Sequence, residues 1–354
     1  MAALWNVHNL FDGRDDGTEY PEFRLDALWS AEKYQGRLST LSQAVLSMLH
    51  SEGDPGPLSG SASRARVPDL LCFVELENLQ VLEDLASGPL ARYGYLWCAF
   101  AKLPGSALGV GFISRRPITD VRAHSITIGS ETAPRPVLEV RLSPGTLPSG
   151  GGRGGPVREA PELVFLLSHW KSKVGGDDAT EELRRASARL MGRRLGELTL
   201  SEPETAVIIL GDFNLNYDDF YRRDRSVRYA LLPDDPDAAL MAGDGPRDFL
   251  VLSPDMPPQA RHFPDDVIPL YSPWFYDLEG GSYFYRDDWE TIDHFLLPGA
   301  LFSGRGWTYA QAQVLRRPPF VNSQGVPESY VPRTGRGLSD HLPLLLYLQY
   351  EGGD

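Results

Sequence analysis

Ala206-Val207-Ile208-Ile209-Leu210-Gly211-Asp212-Phe213-Asn214-Leu215-Asn216 runs from aliphatic residues straight into a carboxylate and, two positions later, an amide. A short β-branched and aliphatic run of this kind predicts a central, buried strand that delivers polar groups at its C-terminal edge. In an extended backbone residues i and i+2 share a face, so Asp212 and Asn214 are expected to project together into a cleft beyond the sheet. Taken alone, the same residues could be a helix cap and a turn. The rest of the chain shifts that balance.

Working outward, other short apolar runs also end in polar groups. Ala2 to His8 carries Asn6; Asp69 to Glu75 ends in a carboxylate; Leu163 to Ser168 is followed by His169. Thr291 to Leu297 contains Asp293 and His294, and His341 to Leu348 follows Asp340. Any one of these endings is explained by a turn or a cap. As an ordered set they point to strand ends that converge on one site.

Tyr34, Leu38, Leu41, Val45 and Met48 recur at helical spacing and predict an amphipathic helix from about Lys33 to about His50. Asn78 to Leu85 and Asp178 to Leu200 read as further helices, and Tyr95 to Ala101 and Leu108 to Ser114 as a strand pair turning at Pro104-Gly105. Ile118 to Ile128 and Val137 to Leu142 continue the strand pattern. Residues 51–66 and 143–161, rich in Ser, Gly and Pro, read as mobile loops, and 217–290 as an irregular insertion closing in an aromatic cluster from Trp274 to Trp289. Many evenly spread strands argue against a parallel βαβ series. They favour an α/β (α+β) sandwich, two packed mixed sheets flanked by helices, in a single domain over 1–354.

The 354 residues are 42% hydrophobic and 23% charged, ordinary globular values. No apolar run approaches the ~20 residues needed to span a bilayer. There is no charged-then-apolar signal segment at Met1, which fits a cytoplasmic protein or an exported one whose leader has been removed; the compartment stays open. Cys72 and Cys98 sit in apolar runs and read as small hydrophobes rather than a disulfide. With 48 acidic against 34 basic residues, the net charge of −14 opposes loose binding to polyanions. A divalent cation held among carboxylates would reverse that sign locally.

Trp5-Asn6-Val7, Val74-Glu75, Ser168-His169, Gly211-Asp212-Phe213-Asn214, Ile292-Asp293-His294 and Ser339-Asp340-His341-Leu342-Pro343 resemble, in order, the motifs of the endonuclease/exonuclease/phosphatase superfamily. The resemblance implies a four-layered sandwich and a Mg²⁺-dependent phosphodiester hydrolase, with Mn²⁺ as a substitute. It implies Glu75 and Asp340 as metal ligands, and His341, oriented by Asp293, as general base or phosphate donor. Asp212 would position the attacking water, and Asn6 and Asn214 would supply amide contacts to the scissile phosphate or to metal-bound water. His169 would donate to a non-bridging oxygen or protonate the leaving oxygen. Deoxyribonuclease-like and sphingomyelinase-like members carry His at the His169 position and apurinic endonucleases Tyr, which leans away from abasic-site repair; a nuclease acting on DNA, and a monomer, is the expectation. A phosphatase or phospholipid-headgroup phosphodiesterase is the alternative, and a silent binding module the remaining one.

Around this set, Lys171 is a candidate substrate-phosphate contact, as is Lys173, and Arg316, Arg317, Arg333 and Arg336 form a candidate basic rim. The aromatic cluster reads either as core or as a stacking platform or lipid-facing rim. His294, next to Asp293, must face the opposite side and is expected to pack in the core. His8, His50, His124 and His262 match no motif position.

Overall fold

The computed structural model describes residues 1–27, 29–48, 67–128, 131–133, 135–143, 145–147, 158–159, 161–174 and 176–351. His50, the loop at 51–66 and most of the loop at 143–161 lie outside them. Among the described residues two mixed sheets dominate. The first has six strands in the order Gly306–Val314, Leu344–Glu351, Ala2–Leu10, Leu70–Leu76, Gly109–Ser114 and Trp97–Ala101. The second has eight, in the order Leu231–Pro233, Leu250–Ser253, Pro269–Tyr271, Asp293–Pro298, Ala206–Asp212, Leu163–His169, Val137–Leu142 and Ile118–His124.

Alternation along the strands makes the layers. Leu4, Cys72, Val74 and Phe112 of the first sheet meet Phe165, Leu167, Ile208, Leu210, Phe295 and Leu297 of the second in a core between the sheets. The opposite faces bury Trp5, Leu71 and Phe73 under the helices Ala31–Ser47 and Leu79–Ser87. Val164, Leu166, Val207 and Ile209 pack under Asp177–Ser201. The four expected layers follow, helix on sheet on sheet on helix. Ser30 and Asn78 start the first two helices by accepting a hydrogen bond from the backbone N–H three residues on, at Lys33 and Val81. Cys72 and Cys98 are free, as their apolar settings suggested.

Residues 217–290 differ from the expectation of an irregular stretch. They supply three short strands that extend the second sheet beyond Asp293–Pro298. Two of them are three residues long and the third is four, too short to leave a legible period-two signal.

The same alternation positions the polar strand ends. Asn6 lies in phase with Ala2 and Leu4; His169 with Phe165 and Leu167; Asp212 with Ile208 and Leu210; Asp293 with Phe295 and Leu297. All four therefore continue the face that fills the inter-sheet core. In the second sheet His169 pairs in register with Asp212, and Asp212 with Asp293, so three polar side chains stand in a row across adjacent strands.

Gly211 makes this row possible. Its φ of 148° lies where L side chains are strained, and a Cβ there would stand 1.8 Å from the Ser168 carbonyl oxygen. Gly211→Ala is expected to destabilise the fold by about 3 kcal/mol or more, since backbone strain and a clash with main chain combine. Urea denaturation of the variant measures this; stability unchanged within error would contradict the close approach described here.

Candidate active site

Two adjacent strands of the first sheet break register at the same level. Glu75 is an extra residue between the pairs Val74↔Val110 and Leu76↔Gly109, and in Ala2–Leu10 the pairing shifts between Asn6 and Leu10. Glu75, His8 and Asn9 adopt φ of 67°, 51° and 62°, unusual for residues with side chains. These turns are used. The His8 amide donates to Asn6 Oδ1 at 2.9 Å, fixing the side-chain amide, and the Asn9 amide donates to Glu75 Oε2 at 3.0 Å. Backbone strain thus sits where it orients polar side chains.

Asn6 Nδ2 donates to Glu75 Oε1 and to Asp212 Oδ2, each at 3.0 Å, and the second bond crosses from one sheet to the other. Those two bonds use both amide hydrogens, so the 3.4 Å approach of Nδ2 to His341 Nε2 is a contact rather than a third bond. His169 Nε2 lies 3.4 Å from Asp212 Oδ2 and 3.9 Å from Glu75 Oε1. His341 Nδ1 meets Asp293 Oδ2 at 2.7 Å, while its Nε2 lies 3.8 Å from Asp212 Oδ2. Asn6, His169, Asp212, Asp293 and His341 are all buried, and Glu75 is half-buried. The structure therefore brings six of the sequence candidates into one cluster at the seam between the sheets.

Asn214 is also at hand, by a different route from the one expected. The strand ends at Asp212, and Asn214 takes a left-handed φ of 52°. Its backbone N–H donates to Asp212 Oδ1 at 3.0 Å, and its Nδ2 donates to the same oxygen and to the Trp170 carbonyl. Asn214 thus folds back onto Asp212 instead of projecting beside it. Its turn geometry, the alternative reading of Gly-Asp-x-Asn, is what holds the carboxylate.

Asp340 stands differently. Its Oδ2 is 3.8 Å from His8 Nε2, and its buried Oδ1 has no hydrogen-bond partner among the described residues. His8 Nδ1 accepts from the Tyr330 amide, which places the ring proton on the nitrogen facing Asp340. A histidine that matches no motif position is therefore next to the site. Lys173 is held by Asp219 at 3.1 Å and is 3.9 Å from Glu290, so it braces the loop. Arg316 lies over Trp289, its guanidinium carbon 3.9 Å from the ring centre. His294 faces the other way, as expected: it stacks on Phe213, and its Nε2 contacts the Leu215 carbonyl at 2.8 Å.

The aromatic cluster splits into two kinds. Trp274 is core, and its indole N–H donates to the Asp293 carbonyl at 2.8 Å. Tyr283 stacks on the His341 ring at 4.6 Å, with Tyr285 beyond it, 47% exposed. Ser282 donates its hydroxyl to Asp293 Oδ2 at 2.6 Å, and Ser339 donates to the Asn6 carbonyl and accepts from the His341 amide. No sequence pattern marks Ser282, and Ser339 stands out only as part of the Ser-Asp-His motif.

The electrostatics follow from crowding acids in a dry seam. Burial, reinforced by the Asp293 and Glu75 charges and opposed by His341, pushes Asp212 up to about 7. Burial alone would lower His341, but the Asp293 charge and hydrogen bond, with Asp212 and Asp340, raise it to about 10. Burial, Arg135, His341 and Lys171 hold His169 well below the usual histidine range, as a neutral imidazole.

The donor set suits a hard divalent cation. Among the described residues, buried Asp293 Oδ1 and Asp340 Oδ1 lack hydrogen-bond partners, and four carboxylates, Glu75, Asp212, Asp293 and Asp340, stand about the seam. Ligand atoms of Asp212, Asp293 and His341 lie within 4.8 Å of one another, whereas neither Glu75 nor Asp340 belongs to such a group of three among the described residues. A protonated His341, already bonded to Asp293, has no lone pair to give, so the carboxylates are the donors.

The chain belongs to the endonuclease/exonuclease/phosphatase family, whose sequence model matches residues 1–228. Members of this family are metal-dependent phosphoester hydrolases, and this chain is an enzyme of that class. Asp293 and His341 lie beyond the matched segment and join it only through the fold. No curated protein matches the chain. Among solved structures, a mannosyl-6-phosphatase from Bacteroides thetaiotaomicron is similar at 13% identity over 99% of each chain, with a TM-score of 0.50. A functionally unknown conserved protein from Enterococcus faecalis is similar at 13% identity over 99% of each chain, also with a TM-score of 0.50. At such identity the likeness concerns the fold alone. Among the described residues no helix is long and apolar enough to cross a membrane.

The raised Asp212 and His341 values make stability fall with rising pH. For both groups the folded state holds its proton more tightly than the unfolded chain. The Asp212 contribution is complete below 3.8 and lost as pH rises through about 7. That of His341 is complete below 6.5 and lost as pH rises through about 10. Thermal denaturation in EDTA should show melting temperature declining from pH 7 to pH 9.5, above the range where the lowered His169 and His294 act in the opposite sense, with the decline flattened in His341→Gln. A wild-type profile rising over that interval would contradict the assigned proton positions.

Proposed function

We propose that the protein is a Mg²⁺-dependent phosphodiesterase acting on nucleic acid. The observation that carries this reading is the buried unit of His341, Asp293 and Asp212, braced by Asn6 across the seam. Mg²⁺ is favoured because the available donors are carboxylates, the hard oxygen ligands it prefers. Glu75 and Asp340, with the free oxygen of Asp293, are the residues that would hold it. Once bound it would offset charge on the phosphoryl oxygens.

Asp212, poised near neutral pH, positions the attacking water and takes its proton. His341, kept protonated by Asp293, donates from Nε2 to a phosphoryl oxygen and stabilises the charge that develops there. This favours the donor role for His341 over the general-base role. His169, neutral and buried, is a hydrogen-bond donor to a non-bridging oxygen and a poor acid for the leaving group. Asn6 and Asn214 fix the Asp212 carboxylate from two sides. Histidine at position 169, carried there by deoxyribonuclease-like and sphingomyelinase-like members alike, supports a phosphodiester other than an abasic site, and the screen below separates nucleic acid from lipid.

A metal-supplemented screen of purified protein against plasmid DNA, RNA, bis(p-nitrophenyl) phosphate, sphingomyelin and inositol phosphates tests the reading. Cleavage of DNA and of the synthetic diester, abolished by EDTA, is expected. Turnover confined to phosphomonoesters or to sphingomyelin would replace it with the phosphatase or lipid alternative. His341→Ala and Asp212→Asn should each lower kcat by at least ~10²-fold with the fold intact, because each acts on proton transfer or charge at the reacting centre. Glu75→Gln should shift the Mg²⁺ activation curve to higher concentration, since an amide is a weaker ligand for a hard cation. An unshifted curve would remove Glu75 from the ligand set.

A further inference from the structure

Arg135 and Lys171 are set apart from the other cations near the seam. Arg184 is held by Glu181 at 2.7 Å and Lys173 by Asp219 at 3.1 Å, as an acidic chain would lead one to expect. Arg135 instead spends one N–H on the Trp170 carbonyl at 2.8 Å and has no carboxylate partner among the described residues. Lys171 Nζ reaches only Ser172 Oγ and the Val174 carbonyl, each at 3.4 Å, and likewise has no carboxylate partner there. Both groups are half-buried, and both are tied to the backbone segment that follows His169. The Trp170 carbonyl that Arg135 grips is also the one held by Asn214, so the guanidinium is fixed relative to Asp212.

A half-buried cation without a counter-charge is costly unless a ligand supplies one. In a chain of net charge −14, carboxylates are abundant, yet these two cations are left without one beside the site where phosphate chemistry is expected. They also lower the basicity of His169, which shows that their charge is felt at the cluster. Their remaining N–H donors suit phosphate oxygens, the guanidinium in its fork geometry and the ammonium as a point charge.

We propose that Arg135 and Lys171 form an anion subsite for a second, non-reacting phosphate of the substrate, adjacent to the scissile one. The inference rests on the phosphodiesterase reading above and narrows it. The preferred substrate is a phosphodiester that carries a neighbouring phosphate, as an oligonucleotide or a phosphorylated dinucleotide does, rather than an isolated diester. A small footprint of this kind also reconciles substrate binding with the acidic surface, because few phosphates need be met.

The test compares thymidylyl-thymidine with its 5′-phosphorylated and 3′-phosphorylated forms, which share one scissile linkage. In wild-type protein with Mg²⁺, at least one phosphorylated form should have kcat/KM about 10-fold or more above the unphosphorylated dinucleotide, the scale of a charge-assisted hydrogen bond. Arg135→Gln should bring that ratio towards one, Lys171→Gln should reduce it, and Arg135→Lys, which keeps the charge, should retain part of it. Circular dichroism melts confirm that each variant is folded. Hydrolysis of all three substrates without preference, or a ratio unchanged in Arg135→Gln, would overturn the subsite alone. Hydrolysis of none of them would overturn the phosphodiesterase reading and the subsite with it.

Discussion

The 2.7 Å hydrogen bond between His341 Nδ1 and Asp293 Oδ2 joins a strand of the second sheet to the segment that leads into Leu344–Glu351 of the first, and the rest of the site is arranged around the need to satisfy it. Asp293 stands at the first position of its strand, on the face that fills the inter-sheet core, and His341 lies just ahead of the strand Leu344–Glu351, separated from it by Leu342 and Pro343. Ser282 bonds the Asp293 carboxylate and the Trp274 indole its carbonyl, while Ser339 and Trp5 hold the His341 backbone and the Tyr283 ring stacks on its imidazole. A second cross-sheet bond, from Asn6 to Asp212, closes the other side. Two sheets packed through aliphatic side chains would otherwise be free to slide by small amounts; these directional bonds fix their relation at the one edge where it matters.

The stability cost of this arrangement is visible in the same residues. Asp212 is buried beside Asp293 and Glu75, so its ionised form is disfavoured, and Glu75, His8, Asn9 and Asn214 adopt left-handed backbone that their side chains do not favour. A core designed for stability alone would place aliphatic residues at these strand ends. The aliphatic runs behind them, Val164 to Leu167 and Val207 to Leu210, are what a strained polar edge requires for support.

Much of this was legible in the sequence because strands write a two-residue period. Asn6, His169, Asp212 and Asp293 could be assigned to one region from their positions at the ends of apolar runs, and His294 could be assigned to the far side from its neighbour alone. What could not be read depends on backbone turns or on distance along the chain. Asn214 reaches Asp212 through a left-handed turn, not through alternation. Ser282 and Tyr283 touch His341 and Asp293 only through a hairpin whose register no local pattern reveals. Arg135 precedes its strand, in a segment that carries no periodic signal, and its relevance comes from the Trp170 carbonyl it holds. His8 matches no motif position, yet the bulge that orients Asn6 also turns His8 towards Asp340.

The central claim is that the seam residues act as one reacting unit. The most direct measurement is a double-mutant cycle on kcat for bis(p-nitrophenyl) phosphate, using His341→Ala, Asp212→Asn and the pair together under saturating Mg²⁺. Groups that work in a single step lose their effect together, so the double variant should be no more than about 10-fold slower than the slower single variant. Losses that multiply in full, or near-normal turnover in either single variant, would contradict the account.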